Sequence, residues 1–169
     1  MIRVYNNSIL VHNNDKYYCA LGKSGINSHK KEGDNTTPAG TYYLGNIYYR
    51  KDRIIKLKTK RKVICIEKNM FWSDDVNSIS YNRLINIKEK KCEALYRRDN
   101  IYDILIIINY NFKPVIPGKG SAIFLHVARK NYTPTQGCVA VKKKDLLKII
   151  SKLKINEKII ISDKAYISA

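Results

Sequence analysis

Two residues of this chain together could do chemistry that neither does alone. Cys138 follows a glycine in Thr135-Gln136-Gly137-Cys138-Val139-Ala140-Val141 and opens an apolar run. His126 lies at the end of another apolar run, Phe124-Leu125-His126-Val127. A thiol attacks a carbonyl carbon as its thiolate, so near neutral pH it needs a base within hydrogen-bond reach. The spacing of 12 residues suits two neighbouring strands joined by a loop, bringing thiol and imidazole face to face. Gly137 leaves room beside the nucleophile for a substrate backbone. A third stretch, Thr36-Thr37-Pro38-Ala39-Gly40-Thr41-Tyr42, reads as a tight turn into a strand. Such a turn can aim peptide N–H groups at a developing oxyanion. On spacing alone, a core histidine and a small buried thiol would give the same pattern.

These residues need elements to position them. Residues 8–11 and 16–21 read as a hairpin across His12-Asn13-Asn14-Asp15, and 41–44 as a strand after Gly40. Residues 53–58 and 62–67 alternate polar with β-branched side chains and are also strand-like. From Trp72 to Arg83 no period is visible, which predicts a long excursion over the surface. Residues 88–98 are a candidate helix. The run 102–110 is a strong strand whose continuity predicts burial on both faces, and 121–127 is another. Over 145–153 the residues Leu146, Ile149, Ile150 and Leu153 fall at helical spacing with lysines opposite. Residues 158–162 close the chain as a strand. The sum is a mainly β protein, a sandwich or mixed sheet with one or two helices, in a single domain over 1–169.

Composition limits the alternatives. The 169 residues suffice for a packed core, and 44% hydrophobic content with 13 tyrosines excludes a disordered chain. The net charge of +18 has two readings. One is a basic module for nucleic acid or an anionic surface. The other is codon bias, because Lys, Ile, Asn and Tyr all have AT-rich codons. No segment interleaves basic and aromatic residues in an RNA-binding pattern, so no nucleic-acid partner is expected. Cys19, Cys65, Cys92 and Cys138 stand far apart without a CxxC pair, so neither a metal site nor a disulfide framework is expected. The N-terminus has no apolar signal-peptide core and no run reaches membrane-spanning length. The expectation is a cytoplasmic protein, or a periplasmic one if it cross-links cell wall.

The set Thr37-Pro38-Ala39-Gly40, His126 and Thr135-Gln136-Gly137-Cys138-Val139 resembles the L,D-transpeptidase catalytic-domain (YkuD-like) family, over roughly residues 21–161. The resemblance implies Cys138 as nucleophile, His126 as its base, and backbone amides around Gly137 as oxyanion donors. It implies a peptidoglycan stem peptide or muropeptide as substrate and no cofactor. The expected reaction is L,D-carboxypeptidase release of a terminal D-alanine; the alternative is L,D-transpeptidation. One departure stands out: the family usually carries arginine two residues after the cysteine, where this chain has Ala140. Arg129, in the loop between His126 and Cys138, is the candidate replacement cation. Tyr132, Thr135, Gln136 and Trp72 are the candidate substrate walls, and Asp74 and Asp75 could meet an amine of the stem.

Overall fold

The computed structural model describes residues 1–168. The strand that organises it is the apolar run read from sequence: Ile104–Ile108, all five residues buried. Counted in chain order, the earlier strands are β1 (Ile2–Tyr5), β2 (Ile9–His12), β3 (Asp15–Tyr18), β4 (Ile26–Asn27), β5 (Thr37–Pro38) and β6 (Gly40–Tyr49). Three short strands follow, β7 (Val63–Cys65), β8 (Phe71–Ser73) and β9 (Leu84–Ile85), and then β10 (Cys92–Ala94). The central strand is β11, followed by β12 (Phe124–Val127), β13 (Val139–Val141), helix α1 (Lys143–Lys152) and β14 (Lys158–Ser162).

A nine-stranded mixed sheet runs β13-β12-β11-β6-β14-β1-β2-β3, with β7 added beside β6. The β2–β3 hairpin turns through Asn13 and Asn14, both at positive φ, where asparagine is better tolerated than most residues. The chain is mainly β, as its patterning predicts, with one α-helix among the described residues. That helix buries Leu146, Ile149 and Ile150 on the sheet, and Leu153 just beyond its end joins them. No described helix is long and apolar enough to cross a membrane.

Sidedness follows from the period of two along each strand. Ile104, Ile106, Ile108, Leu125, Val127, Val139 and Val141 enter an aliphatic core under α1. Their neighbours Leu105, Ile107, Phe124 and Cys138 enter a second cluster on the opposite face, with Tyr48, Trp72, Leu95 and Tyr102.

Three local expectations are corrected. Residues 53–58 form a turn and an irregular segment rather than a strand. There the Arg53 guanidinium is tied to Asp103 and to carbonyls of Arg97, Arg98 and Asp99, and Ile55 is solvent-exposed. Residues 88–98 hold β10 instead of a helix, because Cys92, Glu93 and Ala94 pair with Ser73, Trp72 and Phe71. Tertiary pairing overrides helix propensity there. The stretch from Trp72 to Arg83 is no surface excursion: β8 is the middle of a three-stranded sheet, and Trp72, Tyr81 and Asn82 are buried.

Candidate active site

The loop inferred between His126 and Cys138 joins two adjacent parallel strands, with His126 opposite Ala140 and Leu125 opposite Val139. Extending the register by one residue puts Phe124 opposite Cys138, so the imidazole and the thiol share a face two residues apart along the ladder. Both border one cleft of about 520 Å³.

The turn before Cys138 is built by Thr135. Its Oγ1 donates to the Cys138 carbonyl (2.7 Å) and accepts from the Gly137 N–H (3.1 Å), while its own backbone bonds Leu21 and Lys23. Gly137 has φ +145°, a region that disfavours side chains, and a Cβ there would sit 2.8 Å from the Thr36 carbonyl oxygen. The Thr36-Thr37-Pro38 turn therefore acts as a backstop against Gly137. Thr37 Oγ1 accepts the Gly22 N–H (2.8 Å), which anchors that turn to the sheet edge. The Gly137 amide expected to serve an oxyanion is occupied by Thr135.

Cys138 is 8% exposed and His126 5%. The thiol donates to the Ala122 carbonyl (3.1 Å) and accepts from the Phe124 N–H (3.4 Å). Burial pushes the thiol up to about 12, reinforced by the Glu93 carboxylate and opposed by the Phe124 N–H and the Lys30 ammonium. Burial also lowers His126 to about 4, opposed by its bond to the Val127 carbonyl. That bond joins Nδ1 to Val127 O at 2.9 Å. A carbonyl only accepts, so Nδ1 carries the proton and Nε2 is the basic nitrogen. At neutral pH the pair is thiol and imidazole rather than thiolate and imidazolium.

Of the other candidates, Arg129, Thr135 and Gln136 line this cleft. Arg129 sits at its rim, half exposed and 3.7 Å from Asp99. Tyr132 lines a separate hollow of about 270 Å³ with Tyr18 and Cys19, on the other side of Pro134. Trp72 is buried edge-on against Phe124, its Nε1–H donating to Asn82 Oδ1 (2.9 Å), and is not among the cleft residues. Asp74 lines the cleft and Asp75 does not.

The fold adds charged residues that spacing did not single out: Lys30, Glu32, Glu93 and Arg97. Tyr102 joins them, its OH donating to Glu93 Oε1 (2.6 Å) and its ring edge-on to His126. Burial raises both the Glu93 carboxyl and the Tyr102 hydroxyl. Glu32 accepts from Ser121 Oγ (2.8 Å) and from Tyr81 OH, clamping the loop of Lys30 to the β12 side. These residues come from segments 36 to 108 positions away from Cys138, so no local motif marks them.

Residues 1–161 match the L,D-transpeptidase catalytic domain. No curated protein matches the chain. Among solved structures the chain is similar to the helical cell shape determining protein Pgp2 from Campylobacter jejuni, with 15% identity and a TM-score of 0.47, over 99% of this chain and 49% of that one. A mutant of the same protein gives 14% identity and a TM-score of 0.46, over 99% and 48%. The chain spans about half the length of those structures. The match extends over the Thr37-Pro38-Ala39-Gly40 turn, His126 and Cys138 together, and the chain belongs to the L,D-transpeptidase catalytic-domain family of peptidoglycan enzymes.

Proposed function

We propose that the chain, acting as one catalytic domain, is an L,D-carboxypeptidase that removes the terminal D-alanine from a tetrapeptide stem through a Cys138 acyl-enzyme. The observation that carries this reading is that Cys138 and His126 border one and the same cleft, while the neighbouring hollow touches neither. A bulky amine acceptor would have to enter by the opening that the donor stem already fills. Water needs no second entrance.

In this reading His126 Nε2 takes the thiol proton as Sγ attacks the carbonyl of the L-D bond. The developing oxyanion is held by the Cys138 N–H, since Thr135 occupies the Gly137 amide, and one such donor contributes about 3 kcal/mol. The C–N bond breaks, His126 returns the proton to the departing D-alanine amine, and a thioester remains. Water, deprotonated by the same imidazole, then attacks the thioester; the C–S bond breaks, the imidazolium returns the proton to Cys138 Sγ, and a tripeptide with a new carboxylate is released. Arg129 and Gln136 at the rim would contact the stem.

The test is incubation with a tetrapeptide muropeptide, with and without a D-amino acid or second stem, read by mass spectrometry against Cys138→Ala. Loss of D-alanine regardless of acceptor supports hydrolysis. Exchange or dimer formation replaces it with transpeptidation. Identical products from parent and variant would remove Cys138 from the mechanism.

A further inference from the structure

Ala140 leaves the nucleophile strand without a cation, yet the cleft holds three: Lys30, Arg97 and Arg129. Their settings differ sharply. The side chains of Arg97 and Arg129 are 28% and 51% exposed, and both are paired with Asp99 at the rim. Lys30 is only 3% exposed, with Nζ 2.9 Å from Asp34 Oδ1. Burying an ammonium carries a large desolvation cost, which Asp34 and a long bond to the Lys31 carbonyl (3.5 Å) offset only in part. A buried lysine inside a catalytic cleft therefore calls for a physical reason.

Its surroundings supply one. The stem packs on Gly120, where a Cβ would meet Lys30 Cε at 2.8 Å and Cδ at 3.2 Å. The tip lies against the nucleophile turn: a Cβ on Gly137 would stand 3.3 Å from Lys30 Nζ. Side chains at both glycines would push the ammonium away. Asp34 is itself held by the N–H groups of Lys31 (2.7 Å) and Thr36 (2.9 Å), and Thr36 is the residue whose carbonyl abuts Gly137. The cation and the nucleophile turn are thus fixed to the same short loop.

We propose that Lys30 is the positioning cation of this site: its ammonium, anchored by Asp34 against Gly137, stabilises the Cys138 thiolate as the proton leaves for His126. The charged and titratable groups that line the cleft with Cys138 are Lys30 and Glu32 from the loop before β5, Asp74 after β8, Glu93 on β10, Arg97 beyond it, Tyr102 before β11, His126 on β12 and Arg129 after it. Lys30 and Glu93 act on the thiolate with opposite sign. The inference rests on Cys138 being the nucleophile, as proposed above.

The test is peptide-resolved iodoacetamide labelling of Cys138 against pH in the parent, Lys30→Met, Lys30→Arg and Asp34→Asn, with buried Cys19 as internal reference. Methionine keeps the stem's packing and removes the charge. At neutral pH, Lys30→Met should slow Cys138 labelling about tenfold and move the profile about one unit higher, since one unit is a tenfold change in thiolate population. Lys30→Arg should stay close to the parent. If Lys30→Met fails to fold, Asp34→Asn, which frees the lysine without removing it, should show the same direction with a smaller size. Overlapping parent and charge-loss profiles would overturn the role of Lys30 while leaving Cys138 as nucleophile. A parent Cys138 as inert as Cys19 would sink both.

Discussion

The two faces of β11, β12 and β13 are made by alternate residues of the same strands, yet they have little else in common. Toward α1 the strands send Ile104, Ile106, Ile108, Leu125, Val127, Val139 and Val141, and the cluster they join is almost purely aliphatic. Toward the small sheet they send Phe124, His126 and Cys138, among aromatic rings and a cleft with charges of both signs. The first face meets mostly hydrocarbon and can be close-packed. The second carries a thiol and an imidazole beside the cleft, and burial favours the neutral form of each. A period of two thus lets one ladder serve as scaffold on one side and line the cleft on the other, without a separate support for His126 and Cys138.

That division can be broken from either side. The largest expected effect is Cys138→Ala, which should reduce turnover at least about 10⁴-fold with little change in the unfolding midpoint, checked by muropeptide assay and thermal melt. His126→Gln should lower turnover about 10²- to 10⁴-fold, the range of one general acid–base group, with labelling of Cys138 slowed in parallel. Leu125→Ala, one residue before His126 but facing α1, should do the reverse. It should cost about 2–5 kcal/mol of stability in denaturant titration. Activity per folded molecule should be nearly retained.

A pH titration sharpens the comparison further. The folded protein holds His126 at about 4, below its ordinary 6.5, so between these values the unfolded chain binds a proton that the folded one refuses. Stability should therefore fall as pH drops from about 6.5 to about 4, by about 3 kcal/mol at full extent. His12, buried in the aliphatic half and also lowered by burial, adds to the same slope. His126→Gln should flatten that slope and leave the share of His12. The smallest effect is expected from Glu93→Gln, which removes a carboxylate that opposes the thiolate. It should speed Cys138 labelling a few-fold at neutral pH, on the scale of a partly screened charge.

The legible parts of the molecule are those whose physics is local. The all-apolar run of β11, the helical spacing of Leu146, Ile149 and Ile150, and the Asn13-Asn14 turn are set by near neighbours and could be read from the chain. So could the placing of His126 and Cys138 on neighbouring strands, because a dozen residues suffice to link parallel neighbours. The small sheet was not legible: β8, β9 and β10 are two or three residues long, too short for a period to show. For the same reason Trp72 reads as a groove wall from sequence and lies in the core. Lys30, beside Lys31 and His29, has the look of a solvated run; its burial arises from Gly120 and Gly137, some hundred residues away.

The position of β11, with both faces covered and both edges paired, has a consequence in time as well as in space. Amides there should exchange with solvent only when the whole protein opens, since no partial opening uncovers them. His126 lies on the adjoining strand and shares that slow register, whereas Cys138 and Lys30 lie outside the regular strands. Deuterium uptake resolved by residue would then separate His126 from Cys138 by rate. The imidazole would mark the clock of global unfolding and the thiol that of local breathing, inside a single cleft.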